Sequence, residues 1–163
     1  MDFTPDGLAQ QGFSGFICLS TCADSAVPTA GGVYVVLRPV AAHPVFLPIS
    51  GAGHFKQQDP SVAATELERS WVDGAQVLYI GKAAAGSNDA GGLRRRIRQF
   101  HRFGAGEPVG HWGGRYIWQL ADHVGLLVAW RVTEAEDPRT VESILIDQFH
   151  LRYGCLPFAN LRR

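Results

Sequence analysis

The chain has 163 residues, 46% of them hydrophobic, enough for one domain with a buried core. Its 15 basic and 15 acidic residues cancel, so the whole-chain charge gives no sign of a polyanionic partner. No apolar run reaches membrane-spanning length and no basic region opens the chain, where Asp2 and Asp6 stand; a soluble, cytoplasmic protein without a membrane partner is expected.

In chain order, residues 1–30 mix short apolar pieces such as Phe13–Leu19 with small polar residues, and an N-terminal wrap is expected there. Cys18, Cys22 and Cys155 form an odd set with no second pair at metal-ligand spacing, which indicates neither a disulfide framework nor a zinc site; buried, reduced thiols are expected. Val33–Arg38 reads as a β-branched strand closed by Pro39. Pro44–Ile49, bracketed by prolines, is a candidate for a further short strand. The period then changes, and Ser61–Val72 suits a helix capped by Asp59 or Ser61 before Gln76–Ile80 returns to strand composition.

Ala83–Gly92 is almost wholly Ala, Gly, Ser, Asn and Asp, the composition of a flexible connection that can approach a ligand. It leads into an expected helix over Leu93–Phe103. A glycine-rich stretch, Gly104–Gly114, precedes Arg115-Tyr116-Ile117-Trp118, and Leu126–Val132 reads as a buried strand. Asp137 before Pro138 is an N-cap signal for a last helix reaching Tyr153, where Gly154 ends it. The tail Leu156–Asn160 is apolar enough to pack. From Leu93 to Gln119 there are six arginines against one acid, so positive charge is concentrated locally. Lys56 and Lys82 are the only lysines, leaving the charge almost entirely on guanidinium groups, which suit bidentate phosphate contacts.

At about 100° per residue, Leu93, Ile97, Phe100 and Phe103 gather on one helix face, with Arg94, Arg95, Arg98 and Arg102 opposite. Arg96 falls between Phe100 and Phe103. On the last helix Leu145, Ile146, Phe149 and Tyr153 share a face that has Glu142 near its centre. An ionised group on such a face costs several kcal/mol unless it finds a partner. The two charges therefore imply either a polar cleft between the helices or a buried Arg96–Glu142 salt bridge.

Taken together, Gly32-Val33-Tyr34, Tyr79-Ile80-Gly81-Lys82, Leu93-Arg94-Arg95-Arg96, Glu142 with Leu145-Ile146, and Pro157–Asn160 resemble the GIY-YIG nuclease family over residues 31–160. The resemblance implies an α+β fold with a small three-stranded antiparallel sheet flanked by helices. Residues 1–30 would be an N-terminal extension and residues 39–75 an insertion between the first two motif strands, all within one domain spanning 1–163. It further implies an endonuclease that hydrolyses DNA phosphodiester bonds with one divalent ion, Mg²⁺ or Mn²⁺. Glu142 would be the metal ligand and Arg96 the clamp on the scissile phosphate. Tyr34 and Tyr79 would position or deprotonate the attacking water, and Asn160 would brace the site. Lys82, Arg94, Arg98 and Arg115 are the accompanying candidates for substrate contacts, together with Asn160. Tyrosine is a poor base at neutral pH unless a cation perturbs it, a task for which Lys82 is placed; a solvated loop lysine is the plainer reading.

The chain departs from the family pattern in two places. Tyr34 and Tyr79 lie 45 positions apart (79 − 34), where compact members have about ten; loop closure tolerates such an insertion, and it could carry target recognition. Many members place a histidine or tyrosine four residues after the arginine, where this chain has Phe100, and His101 is rotated about 100° from that slot. His111 and Arg115 are alternative contributors, or parts of an ordinary turn held by Trp112 and Trp118. A non-catalytic nucleic-acid-binding module, with Arg94, Arg95, Arg98 and Arg102 on phosphates, is the competing reading.

Overall fold

Strand β2, Gly32–Leu37, is buried along its whole length, as its β-branched run requires. It pairs antiparallel on both sides, with β3 (Val77–Ala83) and with β4 (Leu127–Val132). The computed structural model describes residues 1–22, 26–86 and 91–161, and residues 87–90 of the expected flexible connection lie outside them. Ser14–Cys18 forms a further strand, β1, antiparallel to β4, so the sheet has four strands in the order β1-β4-β2-β3.

The expectation of three strands is thereby corrected, and the N-terminal segment is more than a wrap. β1 breaks strand alternation with a bulge between Gly15 and Ile17, and Phe16 sits at φ 50°. Gly15 is needed there because a Cβ would lie 2.6 Å from the Trp130 ring.

One sheet face, with Val33, Val35 and Leu37, packs against Leu8 of α1 (Pro5–Gln10) and against Val141, Leu145, Ile146 and Phe149 of α4 (Pro138–Tyr153). The other, with Tyr34 and Val36, packs against Leu93, Ile97, Phe100 and Phe103 of α3 (Gly92–Gly104). Each such side chain contributes about 1.5–3 kcal/mol by leaving water, so the apolar stripes fix the rotation of both helices. Asp137 caps α4 as expected, accepting from the backbone N–H of Arg139 at 3.3 Å and of Thr140 at 3.1 Å. Gly154 ends it in the left-handed conformation, φ 76°.

Three local expectations change. Pro44–Ile49 makes one isolated bridge, Phe46 to Leu120, because the flanking prolines lack N–H donors. The next helix, α2, covers only Ala64–Ser70 and has no side-chain cap. Both candidate caps are used elsewhere: Asp59 accepts from Ser61 N at 2.8 Å, and the Ser61 hydroxyl accepts from Ser50 N at 3.0 Å. The cysteines are free, but none is buried: Cys18 and Cys22 are half-buried and Cys155 is exposed.

The segment 39–75 is tied into the fold. The buried Gln119 amide accepts from Val62 N at 2.8 Å and donates to Leu47 O at 3.1 Å and Val62 O at 3.0 Å. Phe46 and Trp71 close on Phe158 of the C-terminal tail at 5.8 and 5.2 Å between ring centres. No helix is long and apolar enough to cross a membrane among the described residues.

Candidate active site

The tail also finishes the exposed edge of β3. Ala159 N donates to Leu78 O at 2.8 Å, while the Asn160 amide accepts from Ile80 N at 2.9 Å and donates to Ile80 O at 2.8 Å. Both backbone groups of the residue between Tyr79 and Gly81 are thus satisfied by one side chain, which fixes the strand where it meets the cleft. Asn160 braces this strand through bonds that occupy its amide.

A cleft of about 960 Å³ opens here between β3, α3 and α4. Tyr79, Lys82, Arg96, Arg115, Glu142 and Asn160 all line it, and Arg95 and Arg139 add positive charge at its wall. None of its lining comes from residues 39–75, so the insertion supports the fold on another side. Tyr34, Arg94 and Arg98 are not in its wall. Arg94 instead donates through Nε to Val27 O at 2.8 Å, and Arg102 is paired with Glu107, donating through Nε at 2.7 Å.

Arg96 and Glu142 share this cleft without pairing. Glu142, 16% exposed, forms its ion pair with Lys82, while the half-buried Arg96 donates through Nη1 to Gly110 O at 3.2 Å and Gln99 Oε1 at 3.5 Å. Both helix phases are therefore as the sequence indicates, and the cleft, not a mutual salt bridge, accounts for the two charges. Arg115 lies over Trp112 at 4.9 Å and over Tyr116 at 5.1 Å, a stack that holds its guanidinium at the rim.

Tyr34 lies behind Tyr79, fully buried, with ring centres 5.9 Å apart. Burial pushes both phenols above the usual tyrosine range, and the Arg96 guanidinium beside them opposes this only in part. Arg96 is thus a cation whose charge bears on Tyr79. Both hydroxyls are protonated at neutral pH and orient partners by hydrogen bonding.

The element least legible in the sequence is His111. It is fully buried and hydrogen-bonded through Nε2 to the Tyr34 hydroxyl at 2.7 Å. Phe100, at the position four residues after Arg96, packs under the imidazole with ring centres 4.3 Å apart. A histidine therefore enters from the loop after α3 instead of from the helix itself. Its only sequence signal is a histidine set among glycines beside Trp112. His101 stays half-buried on the helix.

Burial, aided by the nearby Arg96, holds His111 neutral well below its ordinary 6.5, and burial acts in the same direction on His123. Below about 6.5 the unfolded chain takes up a proton that the folded His111 refuses, so stability falls on acidification, by up to about 1.4 kcal/mol per pH unit from this imidazole, and half-buried His123 adds less because solvent screens it. Thermal melting is expected to drop between about pH 7 and pH 5, with a shallower drop in His111→Leu. A melting temperature that is flat or rises over that window would contradict neutral burial.

Among the described residues, no group of three or more His, Cys, Asp or Glu side chains could hold a metal ion. The donor set is a single carboxylate at the cleft wall, since Asp137 is engaged in capping α4. A lone carboxylate can serve a hard divalent cation only when water and substrate oxygens complete the shell, and here the Lys82 ammonium occupies it. Comparison with models of known families, with curated proteins and with solved structures gave no match.

Proposed function

We propose that the cleft is the active site of a metal-dependent nuclease that hydrolyses phosphodiester bonds of DNA. The observation that carries this reading is the convergence of Tyr79, Lys82, Arg96 and Glu142 on one cleft from β3, α3 and α4, with Asn160 locking the strand. Cationic groups line it on several sides, as an anionic substrate requires.

Arg96 clamps the non-bridging oxygens of the scissile phosphate and stabilises the charge that builds on them. Glu142 would hold Mg²⁺ or Mn²⁺. When bound, such an ion polarises the phosphate and stabilises the leaving oxygen. Tyr79 hydrogen-bonds at the reacting centre, and Lys82 and Arg115 hold neighbouring phosphates. Water oxygen bonds to phosphorus as the bond to the leaving sugar oxygen breaks; the proton from water passes to solvent, and the leaving oxygen takes up a proton from solvent to become a hydroxyl.

The Lys82–Glu142 pair favours a second reading, a binding module on the same fold, because an ammonium already occupies the carboxylate. Supercoiled plasmid and short duplexes incubated with purified protein and Mg²⁺ or Mn²⁺ separate the two. Metal-dependent nicking that falls by roughly 10³-fold in Glu142→Gln supports the nuclease. DNA bound but uncut with both metals on both substrates assigns the cleft to binding alone.

A further inference from the structure

We infer that residues 51–57, within the insertion between the motif strands, form a strap whose Phe55 is a positioning residue for Arg96, acting through the carbonyl of Gly110. Its effect on rate rests on the nuclease reading, whereas the placement of the guanidinium is measured without it. Because none of the insertion lines the cleft, the influence on the site is indirect.

The strap runs alongside the loop that leaves α3. Gly51 O lies 3.6 Å from the Cβ position of Gly106, and Gly53 N donates to Phe103 O at 2.8 Å, taking up a carbonyl of the last helical turn. Gly53 approaches so closely that a Cβ would lie 1.9 Å from Glu107 O and 2.9 Å from Pro108 N. Two residues on, the Phe55 ring reaches Gly110. The contacts advance in step, 51 to 106, 53 to 107 and 55 to 110, so the loop is backed along its length. Lys56 and Gln57 then turn the chain away at φ 54° and 62°, two successive non-glycine residues in the left-handed region. Such backbone is costly and persists where surrounding contacts over-determine it. The turn follows directly on Phe55, which is half-buried against the core, and so fixes where the ring is set down.

Gly110 is where the strap meets the site. Its carbonyl accepts from Arg96 Nη1 at 3.2 Å, and the next residue, His111, is bonded to the Tyr34 hydroxyl at 2.7 Å. Outside its chain neighbours, the three atoms nearest the Gly110 Cβ position, at 3.4, 3.6 and 4.0 Å, all belong to the Phe55 ring, which backs that side of the residue. A guanidinium on a flexible stem keeps one geometry while its acceptors stay fixed, and a misplaced phosphate clamp slows the reaction more than it weakens binding. Removing the ring lets Gly110 retreat, and the guanidinium with it.

The test reads the guanidinium directly. In protein with isotopically labelled arginine, the Nε–Hε resonance of Arg96, assigned by its absence in Arg96→Ala, is compared in wild type, Phe55→Ala, Phe55→Leu and Val72→Ala, with melting temperature confirming each fold. Val72 is the control, a buried residue of the same insertion that packs on the opposite sheet face. Phe55→Ala is expected to move the Arg96 resonance, Phe55→Leu to move it less, and Val72→Ala to leave it in place. Single-turnover cleavage of a labelled duplex with Mn²⁺ is expected to slow roughly 10-fold in Phe55→Ala with DNA affinity within about twofold, most of the loss being recovered in Phe55→Leu. The Phe55→Ala/Arg96→Ala double variant is as slow as Arg96→Ala alone, because the ring acts through that guanidinium. An Arg96 resonance unmoved in folded Phe55→Ala, an equal shift in Val72→Ala, or multiplicative rate losses in the double variant would each overturn the role of the strap. If wild type shows no Glu142-dependent cleavage, the nuclease reading falls, and the resonance alone decides whether Phe55 places Arg96.

Discussion

Arg96→Ala is expected to slow single-turnover cleavage roughly 10²- to 10³-fold while DNA binding weakens much less. The guanidinium bears on both buried phenols, and its bonds to Gly110 O and Gln99 Oε1 hold it half-buried in an otherwise apolar helix face. Stabilisation of charge that develops during the reaction appears in the rate constant, whereas phosphate contacts outside the reacting centre appear in affinity and its salt dependence. Arg96→Lys is expected to recover little, because an ammonium cannot present the planar fork. Arg102→Ala is the matched control, since Arg102 is exposed, paired with Glu107 and outside the cleft wall; its rate should stay within about twofold. Equal losses in Arg96→Ala and Arg102→Ala would show that only general positive charge matters.

The second large effect is expected at Gly81. An alanine Cβ there would lie 2.6 Å from Tyr34 Cζ and 2.7 Å from its hydroxyl oxygen. Tyr34 cannot yield, because it is fully buried, faces Gly81 across the β2–β3 register and is bonded to His111. Overpacking of this kind costs about 1–3 kcal/mol, at about 2–4 °C of melting temperature per kcal/mol for a chain this size. Gly51→Ala is the control, with open space around its Cβ position and an expected change within about 0.5 kcal/mol. If Gly81→Ala melts with wild type, the tyrosine ring is not held against β3. The glycine of Tyr79-Ile80-Gly81 is thus explained by packing: it leaves room for the tyrosine of Gly32-Val33-Tyr34 on the next strand.

The two cleft-forming helices were the most legible part of the chain. Four apolar positions on α3 and three on α4 are buried as their spacing requires, and that spacing already put Arg96 and Glu142 within apolar faces. The candidate substrate contacts divide by local chemistry. Lys82 and Arg115 reach the cleft, whereas Arg94 is spent on the Val27 carbonyl and Arg98 lies outside the wall, because helix phase turns them away from it.

The short edge strand β1 was not legible, since a strand with Gly15 at φ 99° and a bulge loses the alternation by which strands are recognised. Nor was Asn160's partner, which lies 80 positions away at Ile80.

By itself the sequence determined the order of β2, α2, β3, α3, β4 and α4, the buried faces of α3 and α4, and which charges stand out of place. Those features follow from periodicity within a dozen residues, and hydrophobic burial enforces them wherever the element docks. Only the tertiary structure decided that β1 completes a fourth strand, that Lys82 and not Arg96 pairs with Glu142, and that His111 reaches Tyr34 across 77 positions. Such pairings depend on strand register and on the path of the glycine-rich loop after α3. Hydrogen bonds and ion pairs act over a few ångströms, so only the packed chain selects their partners.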